Sequence, residues 1–280
     1  IKQAYMEELE ALVQAYNKKN MVTLKELRSL AGKANRVATV IPTWRPFLSS
    51  FWAGIKDALN ENRSSKAPSG HIWRAQIQDG INWILAFCQH RRGSVIRTFL
   101  TSTFSGNALR VMISTDASPW GLGGILQVNG IIQSWFSSPL TDLDEATFDH
   151  KIGDAAGQQT WEALAQLVGL RIWKQYRMNR ITILTVRSDS VGTLSLLISL
   201  KGTGHGPNIV ARELALELGD AAFRPSVFLH TPGIANKGPD ALSRMHQPGA
   251  DAKLPEYLCN IPMAHSPQRV KTWFLTIRSA

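Results

Sequence analysis

Four carboxylates stand where the chain changes element. Asp116 ends the apolar run Val111-Met112-Ile113-Ser114-Thr115, and Asp189 follows a second such run, Ile181 to Val186, in Arg187-Ser188-Asp189-Ser190. Glu162 falls in the first turn of a long amphipathic stretch, and Asp240 opens a short helical pattern from Pro239 to Met245. In an open α/β sheet, ligands collect beyond the carboxyl ends of the strands. If the first and fourth strands are parallel neighbours, Asp116 and Asp189 sit side by side there. Clustered carboxylates repel unless a proton or a cation neutralises them. Hard divalent cations suit oxygen ligands, and two of them about 4 Å apart can activate water and stabilise the leaving oxygen of a phosphodiester. Spacing alone leaves a structural reading open, because acids near helix N-termini are common caps.

The elements that must position these acids are legible as periodicity. Arg110 to Thr115, Gly123 to Val128 and Ile131 to Ser137 read as strands, and Asn129-Gly130 between the last two is a strong hairpin signal. A polar, acid-rich stretch, 138–159, precedes an amphipathic helix at about 159–178. A buried-type strand at 181–186, helices at about 190–200 and 207–222, a strand at 227–229 and a helix at 239–245 follow. Strand–helix–strand crossovers give parallel pairing and the hairpin gives antiparallel pairing. The expected fold class is α/β, a mixed five-stranded sheet flanked by helices.

Residues 1–107 read as mainly helical. Met6, Leu9, Leu12 and Val13 make one apolar stripe, and Thr23 with Glu26 forms a capping box before Leu24, Leu27, Leu30 and Ala31. Pro42 closes that second helix, and Pro46 is expected to open a third that runs to Asn60. Residues 62–70 read as a loop, and a fourth helix is expected over 71–90. The domains expected are therefore 1–107, helical; 108–246, the sheet; and 247–280, a proline-containing tail or linker.

The wording around the acids carries a resemblance. Ser114-Thr115-Asp116-Ala117-Ser118-Pro119-Trp120-Gly121-Leu122-Gly123-Gly124 resembles the first catalytic motif of retroelement ribonuclease H domains. Trp161-Glu162-Ala163-Leu164-Ala165 and Ser188-Asp189-Ser190 resemble the second and third. His230-Thr231-Pro232-Gly233-Ile234-Ala235-Asn236-Lys237-Gly238-Pro239-Asp240-Ala241-Leu242-Ser243-Arg244 resembles the last, with Pro239 in place of the usual Ala before the acid. The resemblance implies an endonuclease that cuts the RNA strand of RNA–DNA hybrids with two Mg²⁺ or Mn²⁺ ions. Asp116 would bridge both ions, Glu162 and Asp189 would ligate one site, and Asp240 would complete the other. His230, ten residues before Asp240, is a candidate for the catalytic histidine that such enzymes carry, and equally a strand-end residue. Gly121, Gly123 and Gly124 would let the strands pack closely.

The first third resembles the thumb and connection region of retroelement reverse transcriptases, through Leu24 to Asn35 and Trp44-Arg45-Pro46-Phe47. Lys25, Arg28, Lys33, Arg36 and Arg45 are then candidate phosphate contacts, with Arg91 and Arg92 nearer the nuclease. Charge supports a polyanion partner: the net is +10, of which residues 1–107 carry +8. Most tryptophans read as core, whereas Trp120, in the turn after Asp116, could stack near the hybrid. The partners implied are an RNA–DNA hybrid and an upstream polymerase domain in the same polyprotein. The polymerase Tyr/Phe-x-Asp-Asp turn is absent from these 280 residues.

Two cysteines, Cys88 and Cys259, cannot build a disulfide framework or a Cys-based zinc site by themselves. The apolar runs fall far short of the roughly 20 residues that span a bilayer. An intracellular location, cytoplasm or nucleus, is expected. A non-catalytic nucleic-acid-binding or connection module is the alternative reading.

Overall fold

The computed structural model describes residues 1–60, 67–92, 108–178, 182–220, 227–251 and 253–276. Residues 62–66 of the expected loop, Ile181 and the last two residues of the expected helix 207–222 lie outside the described residues. The chain divides near residue 97 into two compact units. Among the described residues, no helix is long and apolar enough to cross a membrane.

The first unit is helical. Helices α1 (Gln3–Asn17), α2 (Leu24–Val40), α3 (Ser49–Leu59) and α4 (Arg74–Cys88) bury one face each. At the start of α2 the Thr23 hydroxyl accepts from the Glu26 N–H at 3.2 Å, and Glu26 accepts from the Thr23 N–H at 2.9 Å. The third helix opens at Ser49, not at Pro46, because Pro42–Leu48 forms a 3₁₀ helix. Pro42 and Pro46 both lack an N–H, which deprives an α ladder of donors. That segment turns Trp44 and Phe47 inward, where Phe47 meets Trp83 and Phe87 at 4.5 and 4.9 Å between ring centroids. Two three-residue strands, β1 (Met21–Thr23) and β2 (His71–Trp73), pair antiparallel at the starts of α2 and α4. Three residues are too few to show a period of two, and the sequence reading placed 71–73 in a helix. Trp52 and Trp73 depart from the expected core placement, at 48% and 40% exposure.

The second unit is built on a five-stranded sheet. Its strands are β3 (Leu109–Ala117), β4 (Gly121–Val128), β5 (Ile131–Pro139), β6 (Thr182–Ser188) and β7 (Val227–His230), in the order β5-β4-β3-β6-β7. β4 pairs antiparallel with β3 on one side and β5 on the other, and β6 and β7 add in parallel beyond β3. This is the mixed, helix-flanked α/β architecture that the ribonuclease H resemblance implies. Asn129 (φ 51°) and Gly130 (φ 82°) make the β4–β5 turn, both in the left-handed region that the hairpin requires.

Helices cover the sheet. The central one, α6 (Gln158–Ile172), buries Trp161, Leu164, Leu167, Val168 and Leu170. The expected helix over 159–178 breaks at Trp173, whose indole N–H bonds the Ser134 hydroxyl at 2.8 Å. A single turn, α7 (Gln175–Met178), follows. The polar stretch before α6 holds a helix the sequence reading missed, α5 (Asp142–Phe148), capped by Thr141 and Asp144. α8 (Val191–Ser199), α9 (His205–Asp220) and α10 (Lys237–Arg244) complete the unit.

Residues of the 253–276 segment dock on this unit. The Ala264 N–H donates to Trp135 O at 2.7 Å, and the Trp135 indole donates to Ile261 O at 2.9 Å, so the tail runs along the β5 edge. Leu258 joins Ile125, Trp135 and Leu242 in a buried cluster. Arg269, 3% exposed, pairs with the fully buried Asp144 and donates to Ser138 Oγ and Pro139 O. Glu213, also fully buried, accepts from the backbone N–H groups of Leu275 and Thr276 and pairs with Arg171.

Candidate active site

The sheet order makes β3 and β6 parallel neighbours, with Ser114 opposite Arg187 at the end of the ladder. Asp116 and Asp189 lie two residues beyond that pair, so both reach the same edge. Asp116 is 6% exposed at the end of β3. Glu162 comes to this edge from the first half of α6, which packs across β3 so closely that a Cβ on Gly169 would stand 3.2 Å from Ile113 and 3.4 Å from Thr115. Asp240 arrives on α10, which lies directly on β4.

That last approach depends on glycine. Gly123 is paired with Asp116, and a Cβ there would stand 2.5 Å from Pro239 O and 2.6 Å from Ser243 N. A Cβ on Gly121 would stand 2.7 Å from Ser243 O. Backbone cannot yield as a side chain can, so α10 must lift. Gly123→Ala is expected to lower stability by about 1–3 kcal/mol, read as a fall in melting temperature. Asn236, buried before α10, donates to Thr115 O at 3.4 Å and ties the loop to β3. Pro239 sits third in α10 rather than first. It is still in the first turn, where a missing N–H costs no helical bond.

Charge repulsion marks the cluster. Burial, then the charges of Asp189 and Asp240, push the Asp116 carboxyl up to about 8; the Ala117 N–H acts against them and Glu162 adds to them. Burial also raises Glu162, opposed by hydrogen bonds from Ser190 and Gln158, while the Asp189 charge raises it further. Asp189 Oδ1 is buried and makes no hydrogen bond. A buried carboxylate oxygen without a donor, beside a carboxyl held protonated by its neighbours, is what hard-cation ligands look like without the cation. The donor set is all oxygen, which fits Mg²⁺ or Mn²⁺. Asp240 is not yet aimed at the others: its Oδ1 accepts from Arg244 Nε at 2.7 Å. Among the described residues, no three acids, histidines or cysteines converge on one metal position, Asp116, Glu162 and Asp189 included.

The other expected site residues fall as follows. His230 ends β7, exposed, with Nε2 3.1 Å from the backbone O of Asp189. Trp120 is half-buried, its indole against Gly153 of the loop before α6. Lys25, Arg28 and Arg36 are exposed on one side of α2, opposite its buried Leu27, Leu30 and Ala34. Lys33 is taken by Glu8 at 2.7 Å, and both Lys33 and Arg36 lie over the Tyr5 ring. Arg45 is half-buried in the 3₁₀ segment. Arg91 is exposed and donates to Gln89, and Arg92 is half-buried beside it. Sequence reasoning missed Gln158 and the bonding of Ser190 and Asn236, although a Gln one helical turn before Glu162 is a visible signal.

The sheet and the acids at its carboxyl edge define an α/β protein with a clustered-carboxylate site. No family model matches the chain, and no curated protein matches it. Among solved structures, the chain is similar to the RNase H1 of the halophilic archaeon Halobacterium salinarum NRC-1, with a TM-score of 0.35 and 20% identity over 48% of this chain and 93% of that one. That likeness is too distant to carry chemistry across, so the functional reading rests on the chain's own residues.

Proposed function

We propose that this chain is a metal-dependent endonuclease that hydrolyses the RNA strand of RNA–DNA hybrids, as part of a retroelement reverse transcriptase. The observation that carries the reading is geometric: the parallel β3–β6 pair brings Asp116 and Asp189 to one sheet edge, Glu162 comes from α6 and Asp240 from α10, and a buried Asp189 oxygen there lacks a donor. Four ribonuclease H-like motifs supply those acids in order. Asp116, Glu162, Asp189 and Asp240 would hold two Mg²⁺ or Mn²⁺ ions. When bound, the ions supply a water nucleophile at neutral pH and stabilisation of the leaving oxygen. The chain's own part is to bring the acids together against their repulsion and to place the scissile phosphate over Asp116. His230, whose Nε2 lies 3.1 Å from the backbone O of Asp189, would serve product release, and Trp120 would lie near the hybrid. Lys25, Arg28, Lys33, Arg36, Arg45, Arg91 and Arg92 would bind phosphates, and an upstream polymerase domain would share the polyprotein.

The test is a hybrid with labelled RNA, incubated with the chain and Mg²⁺ or Mn²⁺. Cleavage of the RNA strand, with the DNA strand and a DNA duplex left intact, is the expected result. Binding without cleavage would select a second reading, a non-catalytic module, which the Asp240–Arg244 pair favours. Hybrid affinity should fall steeply with salt. Replacing Lys25, Arg28 and Arg36 together by Ala should flatten that slope by up to about 3. An unchanged slope would remove α2 from the phosphate contacts.

A further inference from the structure

Glu162 reaches the site on a helix, whereas Asp116 sits in a strand, and a glutamate side chain has three torsions to fix. Gln158 is the first residue of α6, four before Glu162, so both side chains lie on one face. Its amide Nε2 donates to Ala117 O at 2.6 Å and to Glu162 Oε1 at 3.1 Å. An amide nitrogen carries two hydrogens, so both bonds stand together. Ala117 ends β3, and its own N–H bonds the Asp116 carboxylate. The chain of contacts thus runs from Asp116 through Ala117 and Gln158 to Glu162. On its far side Glu162 is bonded by Ser190, whose Oγ also accepts from Thr193 N at the start of α8. None of these bonds is needed to hold α6 on the sheet, which its buried apolar residues do.

We propose that Gln158 is a positioning residue, tying the Glu162 carboxylate to the end of β3 so that two acids from different elements are held toward one divalent cation. The inference rests on the metal-site reading above. Hydrogen-bond partners behind metal ligands commonly account for 10- to 100-fold of metal affinity.

The measurement is Mn²⁺ binding to the full chain by titration calorimetry, without nucleic acid, beside Gln158→Met. Methionine keeps the length and helix preference and removes the donor. About tenfold weaker binding is expected, with the melting temperature in metal-free buffer little changed. In a Glu162→Gln background, Gln158→Met should change the affinity no further. An equal loss in both backgrounds would mark a general structural role and overturn the proposal. Wild-type affinity in Gln158→Met would overturn it alone, and no binding by the wild type would overturn the metal site with it. Gln158→Asn, one methylene short of Ala117 O, reads the same outcome should the Met variant not fold.

Discussion

Asp116→Asn is expected to melt at a higher temperature than the wild type in metal-free buffer while cutting hybrid about a thousandfold less. The two effects share a cause. In the folded chain the Asp116 carboxyl is raised to about 8, against about 3.9 when unfolded. Between those values the native state holds a proton that the unfolded state has released. The stability contributed by the neutral carboxyl is therefore complete below about pH 4 and lost as pH rises through about 8. Asparagine is neutral at every pH, so the variant's advantage should widen from about pH 4 to about pH 8 and level off above it. Stability and function are opposed here because burial and mutual repulsion, which destabilise the ionised acids, are also what make the cluster attract a cation. On the proposed reading, the loss of cleavage follows from removing an acid that would hold the ions, worth several kcal/mol of transition-state stabilisation, or roughly three powers of ten. Mn²⁺ should raise the melting temperature of the wild type and leave that of Asp116→Asn nearly unmoved. Thermal unfolding at pH 5, 7 and 9, with and without Mn²⁺, checks the whole set. A variant that melts lower at every pH would contradict the repulsion.

Arg269→Ala is expected to cost about 3–5 kcal/mol, the range for breaking a buried pair from one side. Asp144 is 0% exposed and would lose the guanidinium bonds at 2.8–3.0 Å, keeping only the Thr141 N–H and hydroxyl. Ser138 and Pro139 would lose their donor as well. At about 2–4 °C per kcal/mol for a unit of this size, the melting temperature should fall by roughly 10 °C. Replacing both Asp144 and Arg269 by apolar residues should cost less than Arg269→Ala, since no charge is then left buried alone. If the double replacement proves the worse of the two, the pair is a net stabiliser in its own right.

The sheet was legible because each of its signals is local. Asn129-Gly130 fixes a turn, the apolar runs Val111 to Ile113 and Ile183 to Val186 mark central strands, and the long amphipathic stretch marks the crossover helix. Three of the acids stand out by position, Asp116 near the end of β3, Asp189 just past β6 and Asp240 in the first turn of α10, whereas Glu162 is the fifth residue of α6. What remained hidden was of two kinds. Some elements are too short for periodicity, as with Met21–Thr23 and His71–Trp73. Helix α5 carries a Thr141–Asp144 capping box, yet its seven residues show too few apolar positions to stand out from an acidic loop. The other kind is long-range. Nothing near Arg269 in sequence predicts that a buried aspartate 125 residues away will receive it. Nor does Gln158 declare its bond to Ala117, since that contact exists only once α6 lies on β3.

The docked tail also has a consequence for the order of events during synthesis. Trp135 lies on an early strand, yet its indole and backbone find partners in Ile261, Pro262 and Ala264. Asp144 likewise waits for Arg269. On a ribosome, the sheet unit cannot close its outer edge until those late residues have left the exit tunnel. Until then β5 offers an unpaired strand edge and an apolar patch, the setting in which nascent chains aggregate or recruit chaperones. Contacts this far apart in sequence also slow the search for the native state.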